Sequence, residues 1–181
     1  MFVLFLKNNS QQFLRHLDGY KIVDNFLDKI DLKRVGEKCY DPLTEWEVQR
    51  SISTNKENLG FLYLDVSNEE FYNKYLFDKV KQHLDGEYKL ERIYFNGQWA
   101  GREGNFHNDG CDITVLFYVS DYEYGWGGFT EIMTSPTSPT LIHPLKNRLL
   151  IFPGRIMHKG YSFSYQTCPM RISLAFKLHT K

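Results

Sequence analysis

The chain has 181 residues, with 22 Lys and Arg matched by 22 Asp and Glu, six histidines and three cysteines. That length suits one globular domain able to bury a core, and a net charge of zero leaves no electrostatic footprint for nucleic acid or an anionic membrane. Cys39, Cys111 and Cys168 form neither a full disulfide set nor a paired metal-ligand spacing, which fits a reducing compartment. The apolar run Phe2 to Leu6 is too short for a signal core or a membrane span, so a cytoplasmic protein is expected.

In chain order, an amphipathic turn from Ser10 carries Phe13, Leu14 and Leu17 and stops at Gly19. Tyr20 to Phe26 reads as a strand. Asp24 is expected to cap the helix that follows, with Leu27, Ile30 and Val35 inward. Residues 39–58 are polar and broken early by Pro42, and Trp46 and Val48 within them are expected to cover core. Leu59 to Val66 reads as another strand. Ser67 and Glu70 have capping-box spacing, and Tyr72, Leu76, Val80 and Leu84 recur every four residues on one helical face. His83 at the end of that helix suits the negative pole of its dipole.

From Lys89 onward strands follow one another with turn residues between them, and no helical period returns. About eight short strands suggest a double-stranded β-helix, a jelly roll of two facing sheets whose mouth would hold a ligand cavity. The expected class is therefore mainly β with flanking helices: one domain, with residues 1–88 supplying supporting strands and helices and 89–179 the core. Gly125-Trp126-Gly127-Gly128 reads as a loop with backbone-driven glycines, and Trp126 with Tyr122 and Tyr124 as an aromatic rim for substrate. The Thr134 to Thr140 stretch reads as a plain strand connection, and His143 and His179 as surface histidines.

Three His-x-Asp pairs occur: His16/Asp18, His83/Asp85 and His107/Asp109. The first two end helix-like patterns, where residues two apart point to nearly opposite sides. His107 and Asp109 instead precede Ile113-Thr114-Val115-Leu116-Phe117-Tyr118-Val119, a β-branched and aromatic run, and on extended backbone residues two apart face the same way. With His158 they make two histidines and a carboxylate, which leave about three octahedral positions open on a non-heme Fe(II) ion. Zinc accepts the same ligands with a position open for water, so a zinc hydrolase is the rival metal reading. Arg171 and Ser173 alternate with Ile172 and Leu174 and share a face. An inward guanidinium calls for a carboxylate, and no obvious acid lies on a neighbouring strand, so a ligand carboxylate would serve.

From Lys89 to Leu178 the sequence resembles the 2-oxoglutarate- and Fe(II)-dependent dioxygenases, most of all their prolyl-hydroxylase branch. The resemblance rests on Tyr94-Phe95-Asn96-Gly97-Gln98, His107-Asn108-Asp109, Phe117-Tyr118-Val119, Gly125-Trp126-Gly127-Gly128, Asn147-Arg148-Leu149-Leu150-Ile151-Phe152-Pro153, His158 and Arg171-Ile172-Ser173, in that order. It implies that His107, Asp109 and His158 bind iron, that Arg171 binds the distal carboxylate of 2-oxoglutarate with Ser173 assisting, and that Tyr94 and Tyr118 line that pocket. Collagen-type prolyl hydroxylases carry lysine where Arg171 stands, so the chain sides with the arginine-bearing branch. The gap from Asp109 to the next strand is short beside the family's substrate-binding loop.

The implied reaction is hydroxylation of a C–H bond, in first place a prolyl residue of a protein or peptide. Dioxygen is consumed, 2-oxoglutarate is converted to succinate and carbon dioxide, and ascorbate is the reductant that keeps iron reduced in relatives. Arg171-Ile172-Ser173-Leu174-Ala175-Phe176-Lys177 is also similar to the alkylation-repair demethylases of nucleic acid bases, which carry a second arginine where Lys177 stands and lack the double glycine. A jelly roll that senses a metal or metabolite without turnover is the alternative outside enzymes.

Overall fold

The computed structural model describes residues 19–49, 60–135 and 137–181. The expected turn from Ser10, the His16/Asp18 pair and the Phe2 to Leu6 run lie outside them. Strand β10 (Arg171–Thr180) is the hub, pairing antiparallel with β4 (Tyr88–Gln98) on one side and β5 (Ile113–Tyr118) on the other. Outward from these, β5 pairs with β8 (Leu149–Pro153) and β8 with β1 (Lys21–Val23), while β4 pairs with β3 (Phe61–Asp65) and β3 with β2 (Glu47–Gln49). A second sheet has the order β7 (Ser138–Ile142), β6 (Thr130–Ser135), β9 (His158–Gly160). The two antiparallel sheets form a jelly roll.

Alternation along β10 decides what lies between and behind the sheets. Ile172, Leu174, Phe176 and Leu178 join Ile93, Phe95, Val115 and Phe117 on the outer face. There they pack on helix α1 (Lys29–Tyr40), through Val35 and Cys39, and on a wide π turn (Phe71–Leu76) that runs into α2 (Phe77–Lys81), through Tyr72, Leu76 and Val80. Ala175 instead meets Tyr94, Leu116, Tyr118, Leu150 and Phe152, which face Ile132 and Ile142 of the small sheet. Arg171, Ser173 and Lys177 share the parity of Ala175, so three polar side chains lie on the inner face, all buried.

Several local expectations are corrected. Asp28, not Asp24, caps α1, accepting the N–H groups of Ile30 and Asp31 at 2.9 Å each, and Asp24 pairs with Arg148 instead. Ile30 is 81% exposed, because the cap starts the helix later and turns Val35 and Cys39 inward. Ser67 makes no capping box: its hydroxyl bonds the backbone of Ile93, where the chain leaves β3 beside β4. Four residues overshoot a turn of 3.6 by about 40°, and the π turn offsets that drift, so Tyr72, Leu76 and Val80 stay buried in line. His83 packs edge-on against Phe26, and burial pushes its imidazole pKa down rather than favouring a cation at the helix end. Trp46 packs on Phe95, but Val48 on the edge strand β2 is exposed. Among the described residues from Tyr88 on there are seven strands, two of them long, and Thr134, Ser135 and Ser138 to Thr140 belong to the paired strands β6 and β7 rather than to a plain connection.

Asn147 ties β1 and the entry to α1 onto the sheet. It adopts φ 65°, its Oδ1 accepts the Leu27 N–H at 2.8 Å, its Nδ2 donates to the Leu27 carbonyl at 2.8 Å, and its own carbonyl accepts the Phe26 N–H at 3.1 Å. Asn147→Ala leaves both Leu27 backbone groups unpaired at a left-handed position that alanine disfavours, a loss on the order of 2–4 kcal/mol. Urea unfolding is expected to show a clearly lower midpoint, and an unchanged midpoint would refute this account of the tether.

Candidate functional site

The His107/Asp109 pair is not part of β5; it sits on extended chain ahead of it. His107 forms an isolated antiparallel bridge with His158, each N–H donating to the other's carbonyl, at 3.0 and 2.9 Å. Asp109 is held by its own N–H, which donates to the Gly154 carbonyl at 2.8 Å. A Cβ at Gly154 would lie 2.4 Å from the Cys111 carbonyl, so the Phe152-Pro153-Gly154 turn needs glycine for this close approach. Backbone pairing therefore brings the two histidines and the aspartate together although they lie far apart in sequence.

Their ligand atoms all lie within 4.8 Å of one another. Nδ1 of His107 lies 2.9 Å from the Asn105 carbonyl and Nδ1 of His158 lies 2.8 Å from the Ile156 carbonyl. A carbonyl only accepts, so each ring carries its proton on Nδ1 and leaves the Nε2 lone pair free for a metal. Nε2 of His107 is 3.6 Å from Asp109 Oδ1, and Nε2 of His158 is 3.3 Å from Oδ2. The His158 and Asp109 side chains are about 5–6% exposed and that of His107 is 48% exposed, so the donor set opens to solvent on the His107 side. This donor set fits Fe(II).

Asp109 has further partners that composition and spacing did not assign. The Thr114 hydroxyl donates to Oδ2 at 2.5 Å, and the buried Lys177 ammonium forms an ion pair with the same oxygen. Burial alone would raise the Asp109 carboxyl pKa, but the adjacent Lys177 ammonium, through its charge and its hydrogen bond, outweighs it and holds it well below the usual carboxylate range. Burial likewise opposes the Lys177 charge, yet Tyr94 and Asp109 beside it keep its pKa above the usual value.

At the other end of the inner face Arg171 is 3% exposed and pairs with no carboxylate among the described residues. Nε donates to the Gly128 carbonyl at 2.8 Å, one terminal nitrogen to Gln98 Oε1 at 2.9 Å, and the other to Thr130 Oγ1 at 3.0 Å. These neutral acceptors use three of the five guanidinium N–H groups and supply no counter-charge. Ser173 follows on the same face, and Tyr118, under the guanidinium at 5.5 Å, donates its hydroxyl to Thr130 at 2.7 Å. Asn96 stands opposite Ser173 in the β4–β10 register, and its buried Oδ1 has no hydrogen-bond partner. A cation without an anion suits a ligand carboxylate, while the Asn96 oxygen, an acceptor, calls for a donor. Gly128, at φ 71°, lies so close to Phe163 that a Cβ would be 2.5 Å from the ring, and this contact sets the carbonyl that Arg171 uses. Gln98, Thr130, Gly128, Thr114 and Lys177 lie on inner-face positions, so strand parity was the signal for most of them; the partner of each needed the sheet register.

Tyr94 is buried on the inner face between the two cations, with Lys177 5.8 Å from its ring and the Tyr63 ring tilted against it at 4.9 Å. The residues of the expected aromatic rim pack on His143 and Phe163. Tyr122 hydrogen-bonds His143 at 2.7 Å, Tyr124 stacks on His143, and Trp126 packs edge-on against Phe163. These residues follow the Tyr118 end of β5, whereas Asp109 meets Thr114, about 13 Å back along the strand. His143 is consequently half-buried among aromatics rather than a surface histidine, while His179 pairs with Glu91 and Asp112. A surface recess of about 510 Å³ beside α1, lined by Lys29, Leu32 and Tyr40 among others, contains none of the triad.

No protein-family model and no curated protein matches the chain in sequence. Solved structures match it in shape. A prolyl-4-hydroxylase from Pseudomonas putida superposes with a TM-score of 0.73 at 13% identity, over 94% of this chain and 97% of that one. A prolyl hydroxylase from Trichoplax adhaerens, solved with a hypoxia inducible factor oxygen degradation domain peptide fragment, gives 0.71 at 15% identity, over 94% and 90%. The epimerase SnoN from nogalamycin biosynthesis, solved with Fe3+, alpha ketoglutarate and nogalamycin RO, gives 0.73 at 12% identity, over 95% and 84%.

Because the Asp109 pKa is depressed in the folded state, its contribution to stability is complete above the unfolded aspartate value of about 3.9 and is lost as pH falls further. Metal-free wild-type protein is expected to lose stability steeply below about pH 4, and D109N to show a shallower decline over that range in chemical unfolding. Equal slopes would contradict the ion-paired assignment. In fold, the chain is a jelly roll of the kind found in the 2-oxoglutarate- and Fe(II)-dependent oxygenases, prolyl hydroxylases among them.

Proposed function

We propose that the chain is a 2-oxoglutarate- and Fe(II)-dependent dioxygenase that hydroxylates a C–H bond, with a prolyl residue of a protein or peptide as the favoured substrate. The observation that carries this reading is the pairing, on one inner face, of an open His-Asp-His donor set with a buried guanidinium that has no counter-ion among the described residues. Zinc hydrolysis requires only the first, whereas a metal-chelating dicarboxylate cosubstrate engages both.

His107, Asp109 and His158 hold the metal, and Arg171 with Ser173 holds the distal carboxylate of 2-oxoglutarate. Tyr94 and Tyr118 wall the space between. When bound, Fe(II) with 2-oxoglutarate and dioxygen supplies the oxidation of an unactivated C–H bond, with succinate and carbon dioxide as by-products. The chain's own part is to orient and to exclude water. The Nδ1–H donations fix both imidazoles with Nε2 inward, and Leu116, Ile132 and Phe152 keep the interior dry. The half-exposed His107 side leaves room for a substrate to approach. The peptide bound by the Trichoplax adhaerens enzyme supports a peptide substrate, while the epimerase of the same fold marks other substrates as the competing possibility.

Anaerobic titration of metal-free protein with Fe(II) and then 2-oxoglutarate is expected to give a visible charge-transfer band that needs both additions and is absent in His107→Ala. Arg171→Met removes the anchor and is expected to weaken 2-oxoglutarate roughly 100-fold, the effect of deleting one partner of a buried charged pair. Tight Zn(II) binding with no band in Fe(II) would sink the oxygenase reading. Incubation with proline-rich peptides and ascorbate, followed by mass spectrometry for an added oxygen, tests the substrate class.

A further inference from the structure

Lys177 is a second buried cation on the inner face of β10, six residues from Arg171, or about 20 Å along the strand. Its ammonium binds the oxygen of Asp109 that also accepts from Thr114, and lies 3.4 Å from the Thr114 hydroxyl. The metal-ligand carboxylate is thus already neutralised by a fixed lysine, and Arg171 adds positive charge in the same interior. No other carboxylate is paired with either cation among the described residues.

We propose that Lys177 is a positioning residue that makes metal binding depend on the acidic cosubstrate, and so enforces joint loading of the two. This rests on the reading of the triad and Arg171 as a metal and 2-oxoglutarate site. Two effects follow from one charge. A divalent cation entering alone must share Asp109 with an ammonium that repels it, in an interior where charges are weakly screened. A dicarboxylate entering with the metal cancels the excess positive charge and gains from Lys177 as well as from Arg171. Lys177 therefore weakens the metal by itself and strengthens the anion, so the metal is held firmly only once the attraction of a bound anion is added. Its hold on one oxygen of Asp109, shared with Thr114, also leaves the other oxygen as the one free to meet a metal.

The test separates this role from simple support of the fold, since damage to the site would weaken both ligands together. Mn(II) binding to metal-free protein, and 2-oxoglutarate binding to the Mn(II)-saturated form, are measured by calorimetry for wild type, K177M, K177Q and K177R. The expected result is opposite movement: K177M binds Mn(II) alone roughly tenfold tighter and 2-oxoglutarate roughly tenfold weaker, within the usual range of coupling between sites. K177Q, which keeps a hydrogen-bond donor for Asp109 without the charge, gives the same split even if K177M folds poorly, and K177R stays near wild type. Weakening of both ligands in K177M and K177Q, or no change in either, overturns the proposal. Wild-type protein that binds Mn(II) neither alone nor with 2-oxoglutarate present overturns the site reading and the proposal with it, and is recognised before any variant is compared.

Discussion

Two positive charges on the inward face of one strand are the constraint around which the interior is arranged. A buried ammonium or guanidinium loses its hydration and needs acceptors or a counter-ion in return. Lys177 meets this need with Asp109 and Thr114, Arg171 with the Gly128 carbonyl, Gln98 and Thr130. Each of those partners sits on a different strand or loop from the others in its set. The requirement therefore ties β4, β5, β6 and β10 and the loops before β5 and β6 together through two polar clusters at opposite ends of an otherwise apolar inner face.

The two clusters differ in their unmet demand. At the Lys177 end the charges balance within the protein, and the histidine lone pairs add neutral donors. At the Arg171 end only dipoles face a full charge. This asymmetry favours a cation at one end and an anion at the other, which is the polarity a metal-chelating dicarboxylate would have. The outer face has no such demand: it is continuous hydrocarbon against α1 and α2, and it gives the sheet a rigid back on which the inner groups keep their places.

Much of this was legible before folding because β10 alternates cleanly. Ile172, Leu174, Phe176 and Leu178 announce one face, and Arg171, Ser173 and Lys177 must then share the other. Strand parity likewise separated His107/Asp109 from the helical His83/Asp85 pair. What stayed hidden depended on register and on close approach. Gln98 as the partner of Arg171 requires knowing that β4 lies beside β10 with Gln98 opposite Arg171. The capping of α1 by Asp28 rather than Asp24 turned on which carboxylate reached free N–H groups, and Arg148, remote in sequence, claimed the other. The aromatic residues near Trp126 were read as a rim from composition, but their place follows from which end of β5 the chain leaves, and no local pattern encodes that.

The bridge between His107 and His158 is a pair of main-chain hydrogen bonds, and the two rings meet beside it with centroids 4.4 Å apart. The spacing of the two imidazoles is thus inherited from β-sheet geometry, which is indifferent to the residues around it. Phe106 and Met157, their immediate neighbours in the chain, are both exposed. Sequence drift at such positions can remodel what docks against the open side without disturbing the donor set. The geometry of the donor set and the surface beside it are therefore free to vary independently of one another.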